Sequence, residues 1–501
     1  MLAVAIGLSI GLLLLSMRRF DRLANSPLSE DGFYQLAIAR HLALGHGITI
    51  DGHTWTNGFQ PLFTFLCAVL FKITGGARFE TLRLVLLLDS LFEILTAVLL
   101  ALIARDAFRD GDPLQRALRF WFTLLLYLGS VLLLVEHHNG METGMLLLMY
   151  STAWRYYQMR GLPNYGGCIV FATMCGLLVL TRIDAALLVA IVAFAQLLQA
   201  APYRQRLVRF ALLGATSFLV SSPWWLYNLL CFGSLMPVSG QAETSVGLTG
   251  ARVVACGNAL LWAGVPYLYG VRFHSIIATL IALVCLAGVL AGIVRYWKRW
   301  STAPREDAVA ECRARRTIQF GRYLALTGMV LLVYYAFTSF ATYFYLRYAC
   351  FLALISVPLT ACVAAQLAKS AGRRAVSAIL VVCLQLPVAL LFAHTGLYVR
   401  GNESFEQQLR LVRQHVSDSE TVAAYQTGTL GYFRDHVLNL DGKVNPEALR
   451  QRKRIPQYLA EKQVNWCCEG YQVLPPDMQR EMSKWTVVDA ADFTLYRRHA
   501  P

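Results

Sequence analysis

Carboxylates, guanidinium groups and imidazoles gather in a few short stretches of an otherwise apolar chain. Residues 18–60 carry Glu30, Asp31, His46, Asp51 and His53, followed by Thr56, Asn57 and Gln60. Further on stand Glu136, His137, His138, Asn139 and Glu142, then Arg182 with Asp184, Glu243, and Tyr345 with Arg347. Ionisable groups at the edge of a bilayer are costly and usually serve a purpose. Acids and arginines converging at such an edge suit group transfer from a lipid-bound phosphate. A carboxylate takes the proton of an attacking hydroxyl, and guanidinium groups steady the departing phosphate through paired, charge-assisted hydrogen bonds. Each residue also has a plainer use. Glu30 and Asp31 suit the first turn of a helix, Arg182 can pair with Asp184, and Arg347 among aromatics can anchor at the lipid interface.

The elements that position these residues are transmembrane helices. Of 501 residues, 56% are hydrophobic and 15% charged, which excludes a cytosolic enzyme and a disordered chain. Apolar runs near 1–17, 83–104, 120–136, 142–154, 164–181, 184–200, 207–231, 273–294, 323–342, 346–367 and 375–397 predict about 11 membrane spans. The run 61–75 is short, opens on Pro61 and closes on Gly75-Gly76, and predicts an interfacial or re-entrant helix. With it uncrossed, alternate loops (105–119, 155–160, 204–209, 295–322 and 369–374) hold 20 of the 45 Lys and Arg, against 11 in the opposite loops. Basic residues mark cytoplasmic loops, so the net charge of +15 reads as topology, with the lipid bilayer and no nucleic acid as the partner.

The same count puts the acid-rich loops and the polar tail outside the cytoplasm. The chain divides into a membrane region, 1–398, and a tail, 399–501, which reads as a small α/β domain. Strands are expected at Thr421–Tyr425, Val437–Leu440, Val464–Cys467 and Phe493–Tyr496, and helices at Pro446–Arg452 and Ile455–Lys462. Gly428 and Gly431 mark a turn there. Phe33–Leu44 has its apolar residues at helical spacing and predicts a helix lying in the membrane plane. The 12 cysteines lie mostly in apolar runs and show no metal spacing. His53, His137 and His138 read as hydrogen-bonded loop histidines.

The ordered motifs resemble a known group. Ser29-Glu30-Asp31-Gly32-Phe33-Tyr34, Gly45-His46-Gly47 and Thr56-Asn57-Gly58-Phe59-Gln60-Pro61-Leu62 are similar to the first outer loop of GT-C glycosyltransferases. Asn139-Gly140-Met141-Glu142, Thr181-Arg182-Ile183-Asp184, Pro223-Trp224-Trp225 through Asn228 and Leu346-Arg347-Tyr348 resemble later motifs of that superfamily. The branch is that of protein O-mannosyltransferases and the lipid A aminoarabinose transferase. The resemblance implies a multi-pass α-helical GT-C fold with interfacial helices and an extracytoplasmic C-terminal α/β domain. It implies a hexosyl- or pentosyltransferase of the cell envelope, in the inner (cytoplasmic) membrane, that uses a polyprenyl-phosphate-linked sugar donor and a glycan, lipid or protein acceptor.

In that family the first-loop acid pair is usually Asp-Asp or Asp-Glu. Here it is Glu30-Asp31, so the base maps to one of the two, with Asp31 favoured. Arg347, Arg182 and Tyr345 are the candidates for donor phosphate, and Glu142, Asn57, Gln60, His53 and Asp184 for substrate. No metal ligand is assigned. No cofactor is assured, and a divalent cation stays open. The competing expectation is a transporter or flippase of lipid-linked sugars, which calls for ionisable residues near the bilayer midplane and paired broken helices.

Overall fold

The computed structural model describes residues 1–14, 28–107, 112–162, 164–269, 308–368, 403–470 and 474–498, with isolated positions between. In chain order the helices of the first part are α1 (Leu2–Leu14), α2 (Glu30–Ala43), α3 (Pro61–Ile73), α4 (Arg78–Asp106), α5 (Pro113–Leu128) and α6 (Val131–His137). There follow α7 (Thr143–Arg160), α8 (Tyr165–Thr181), α9 (Ala186–Leu197), α10 (Tyr203–Phe232), α11 (Val238–Ala242), α12 (Gly250–Gly264), α13 (Ala308–Thr338), α14 (Tyr345–Ala349) and α15 (Ala353–Leu367).

Among the described residues, α4, α10, α13 and the run Thr342–Leu367 are long and apolar enough to cross a membrane, and α5 with α6 pass together as a pair bent by 62°. Local sequence accounts for the ends. Asp112 caps α5 by accepting from the Leu114 N–H at 2.9 Å, with Pro113 in the first turn, where its missing N–H costs nothing. The spans expected at 273–294 and 375–397 lie largely outside the described residues. Helices stand at all the others. At 13 residues α3 is about 20 Å long, short of the roughly 30 Å hydrocarbon core. Residues 232–272, expected to be loop, contain α11 and α12.

The C-terminal part opens on α16 (Glu403–His415), followed by β1 (Val422–Ala424), α17 (Gly428–Phe433), β2 (Val437–Asn439), α18 (Pro446–Arg450) and α19 (Ile455–Glu461). It closes with β3 (Trp466–Glu469), α20 (Pro476–Met482), β4 (Thr486–Ala490) and β5 (Thr494–Arg497). The five strands form one sheet, ordered β2-β1-β3-β5-β4. β1 runs parallel to β2 (Val422 opposite Val437) and to β3 (Val422 opposite Trp466). β5 is antiparallel to β3 and β4. Expected strands and helices are present within a residue or two. Thr486–Ala490 was not anticipated, because its outward exposure leaves no apolar run to read.

The helix expected at Phe33–Leu44 is present as α2, and ten of its 14 residues are buried, between α3 and the C-terminal sheet unit. Phe33 meets Tyr432 and Phe433 at ring separations of 5.3 and 5.7 Å, so one hydrophobic core joins the membrane region to the tail. The Gly428–Gly431 segment is the start of a helix rather than a turn. A Cβ on Gly428 would come 2.0 Å from the Glu30 carbonyl oxygen, so glycine alone permits this approach.

Candidate active site

Asp31 and Glu30 are neighbours on the first turn of α2, which Ser29 caps by accepting from Gly32 N–H at 3.0 Å. The Ser29 N–H and hydroxyl both donate to the Asn139 carbonyl, at 2.9 and 2.8 Å, so the loop before α7 and the start of α2 are stitched together. Adjacent helical residues point about 100° apart, and the two acids part company. The Glu30 carboxylate faces the tail. It accepts from the Gly428 N–H, from the Thr429 N–H at 3.0 Å and from the Thr429 hydroxyl at 2.6 Å. Burial pushes the Glu30 carboxyl up to about 7 in spite of these donors.

Asp31 faces a cavity of about 540 Å³ enclosed by α2, the 58–60 segment, the loop before α7, the turn after α8, residues 236–244, α13, α14 and the tail. Gln35, one turn along α2 from Asp31, shares this cavity and donates to Glu142 at 2.8 Å. Arg182 ends α8. It pairs with Asp184 at 2.8 Å, lies 3.9 Å from Glu142, donates to the Arg347 carbonyl at 3.1 Å and stacks over Tyr348 at 4.6 Å. Asp184 also accepts from the Tyr335 hydroxyl at 2.9 Å.

Arg347 differs from the other cations of the cavity. Its guanidinium rests over Phe344 at 4.4 Å beside the Met141 thioether, its Nε has no hydrogen-bond partner, and no carboxylate among the described residues comes within ion-pair distance. The third cation, Lys443, comes from the tail. Its ammonium sits 3.4 Å from Asp31 and 3.3 Å from Glu243, and 5.0 Å from the centre of the Phe344 ring. Burial would lower its proton affinity, but Asp31, Glu243 and Asp441 together hold it above the usual lysine range. Burial raises Glu243, against the pull of Lys443.

Of the residues nominated from sequence, Asp31, Gln60, Glu142, Arg182, Asp184 and Arg347 line this one cavity, and the Gln60 side-chain oxygen is buried there without a partner. The other four do not. Glu30 is engaged with α17. Asn57 clamps Asn228 at 3.1 Å and the Val238 N–H at 3.0 Å. The Tyr345 hydroxyl donates to the Tyr335 and Ser339 carbonyls at 2.9 and 2.8 Å. His53 is exposed in a turn closed by Asp51. Glu243 stands among the acids singled out in the sequence but without an assigned role, and Lys443 is not among the nominated residues. Lys443 lies 412 positions from Asp31 and follows only an ordinary Asp-Gly turn, so nothing local announces it. Among the described residues no three His, Cys, Asp or Glu side chains gather as metal ligands.

The arrangement resembles solved structures along its whole length. ArnT from Cupriavidus metallidurans in the apo state superposes with a TM-score of 0.56 at 15% identity, covering 99% of this chain and 97% of that one. The fold is a GT-C fold. ArnT of the same organism bound to undecaprenyl phosphate gives a TM-score of 0.58 at 12% identity, with the same coverage. Residues 398–499 match a family described as a domain of unknown function, DUF8728. No curated protein sequence matches the chain. In this GT-C fold the membrane helices and the five-stranded unit meet at the cavity, and both supply side chains to it.

Proposed function

We propose that this chain is a glycosyltransferase of the cytoplasmic membrane that moves a sugar from a polyprenyl-phosphate carrier to an acceptor hydroxyl on the outer face. The observation that carries the reading is the Arg347 guanidinium, outside ion-pair distance of any carboxylate among the described residues, in the cavity that Asp31 also lines. A guanidinium with an unpartnered Nε, and with Glu142 and Asp31 acting on it only from beyond contact distance, keeps its donors free for an anion in direct contact. The bound carrier in the undecaprenyl-phosphate complex of ArnT supports a prenyl phosphate as that anion. The apolar wall of the cavity runs through Ile183, Leu187 and Leu331 to Val330 and Tyr334, which are 42% and 46% exposed on the outer side of α13, a path suited to a prenyl chain.

In the proposed reaction Asp31 accepts the proton of the acceptor hydroxyl as its oxygen bonds to the anomeric carbon. The carbon–oxygen bond to phosphate breaks, and its electron pair leaves with the prenyl phosphate, which Arg347 receives. Direct displacement inverts the anomeric centre. Glu142, held by Gln35 and near Arg182, and Asp184, held by Tyr335, are placed to accept hydrogen bonds from sugar hydroxyls. Glu30 serves docking of the tail, leaving Asp31 as base. The domains are those read from sequence, 1–398 for the membrane part and 399–501 for an extracytoplasmic tail.

The test is transfer in proteoliposomes, using the labelled lipid-linked sugar fraction of the producing cells and their outer-face glycoconjugates, alongside mass spectrometry of surface glycans from a deletion strain. Loss of one glycan residue in the deletion strain, restored by the wild type and not by Asp31→Asn, is expected. An unchanged surface with no transfer in vitro would overturn the proposal.

A further inference from the structure

Lys443 is a costly residue to keep. Its side chain is only 15% exposed, on a loop of a separate sheet unit, and it reaches across the junction into a cavity lined mostly by residues of the first part of the chain. The chain invests in aiming it. The Lys443 N–H donates to Asp441 at 2.7 Å, and Asp441 accepts from the Tyr34 hydroxyl at 3.1 Å, which ties the loop to α2 just beyond Asp31. The same Tyr34 hydroxyl accepts from the Thr427 N–H at 3.2 Å. On the other side the Lys443 carbonyl lies where a Cβ on residue 58 would be, 2.0 Å away, so Gly58 lets the loop sit flush against the first outer loop.

We propose that Lys443 is a positioning residue of the transfer site, delivered by the C-terminal unit, whose ammonium bridges Asp31 and Glu243 and holds the Asp31 carboxylate in place to take a proton. The inference rests on the transferase reading above. Two carboxylates sharing one cation behave as a pair, and with the cation gone they hold on to a proton between them. The groups that face Asp31 are Glu30 and Tyr34 on α2, Lys443 and Asp441 from the tail, Glu243 after α11, and Tyr343 and Arg347 around α14. Lys443 is the cation in ion-pair contact with Asp31. The site is therefore complete only while the tail is docked.

Two measurements on the full chain in proteoliposomes test this. A water-soluble carbodiimide joins an amine to a carboxylate in contact with it, so wild-type protein should yield a Lys443–Asp31 or Lys443–Glu243 cross-linked peptide by mass spectrometry, whether or not it is active. Absence of both overturns the placement. In the transfer assay, Lys443→Gln should move the acidic limb of the rate–pH profile upward by about one unit or more, and Lys443→Arg should restore it. Roughly a tenfold loss is then expected at a pH one unit below the displaced limb. A Lys443→Gln limb coincident with wild type, at whatever rate, overturns the inference while leaving the transferase reading intact. A wild type that transfers nothing overturns that reading, and this inference with it.

Discussion

Removing the Glu30 carboxylate should loosen the tail in a pH-dependent way. In the docked state burial lifts this carboxyl from 4.5 to about 7, so the docked state holds its proton more tightly than the undocked one. At 1.36 kcal/mol per unit the difference amounts to about 3 kcal/mol. The sign follows: docking is strongest below the undocked value near 4.5 and weakens as pH rises through about 7. Asp441, raised by burial to about 6 and bonded to the Tyr34 hydroxyl of α2, pushes in the same direction.

Glu30→Ala strips acceptors from two N–H groups and one hydroxyl, about 1 kcal/mol or more each. At about pH 5 that loss stands alone, near 3 kcal/mol or above. At about pH 8 relief of the buried charge offsets most of it. Hydrogen exchange of the amides in 428–433, corrected for intrinsic rates, reads both. Wild-type protection should fall by roughly two orders of magnitude or more between those pH values, and Glu30→Ala should remove about two orders of that fall, leaving the part due to Asp441. Equal pH dependence in the two proteins would refute the argument.

Asp31→Asn should lower sugar transfer by about 10² to 10⁴-fold while the Glu30 contacts that dock α17 remain, so that the loss exceeds any loosening of the tail from the weakened Lys443 pair. Retained transfer would remove Asp31 as the base. Arg347→Ala should cost about 10²-fold or more in kcat/KM for the lipid-linked donor with little loss of folding, since no carboxylate is in ion-pair contact with it; a large drop in Tm with donor affinity intact would contradict this. Asp89→Asn in α4 should leave transfer and stability within about 1 kcal/mol of wild type, because neither carboxylate oxygen has a hydrogen-bond partner. A transporter that moved protons or cations would instead fail in that variant, so the same assay discriminates the two functions. Gly58→Ala drives a Cβ into the Lys443 carbonyl and should destabilise docking by about 1–3 kcal/mol, visible as faster proteolysis of the tail.

What could be read from sequence was what repeats locally. Long apolar runs announce helices wherever they fall, and α4, α10 and α13 answer to hydropathy alone. The strands of the tail announced themselves where both faces are buried, as at Val422–Ala424 and Trp466–Glu469, and the exposed Thr486–Ala490 did not. The acids and arginines of the cavity were recognisable because each sits in a motif of its own. Their uses were not. Asn57, Tyr345 and Glu30 have the right chemistry for substrate, yet their polar atoms go to neighbouring backbone and side chains, a choice made by packing between segments far apart in the chain.

Glu30 shows why spacing could not decide between the two acids. Its partner Gly428 is 398 residues away, and the pairing exists only because α2 is buried between α3 and the tail. The burial that makes α2 unlike a surface amphipathic helix gives its first turn two distinct faces. One acid docks the tail, and the other is left at the cavity with the lysine that the docked tail brings. Were α2 exposed in the membrane plane, both acids would be solvated and neither role would be fixed. The division of labour between Glu30 and Asp31 is therefore a consequence of the five-stranded unit sitting where it does, and variants that undock it should impair Asp31 through Lys443 without touching the membrane helices.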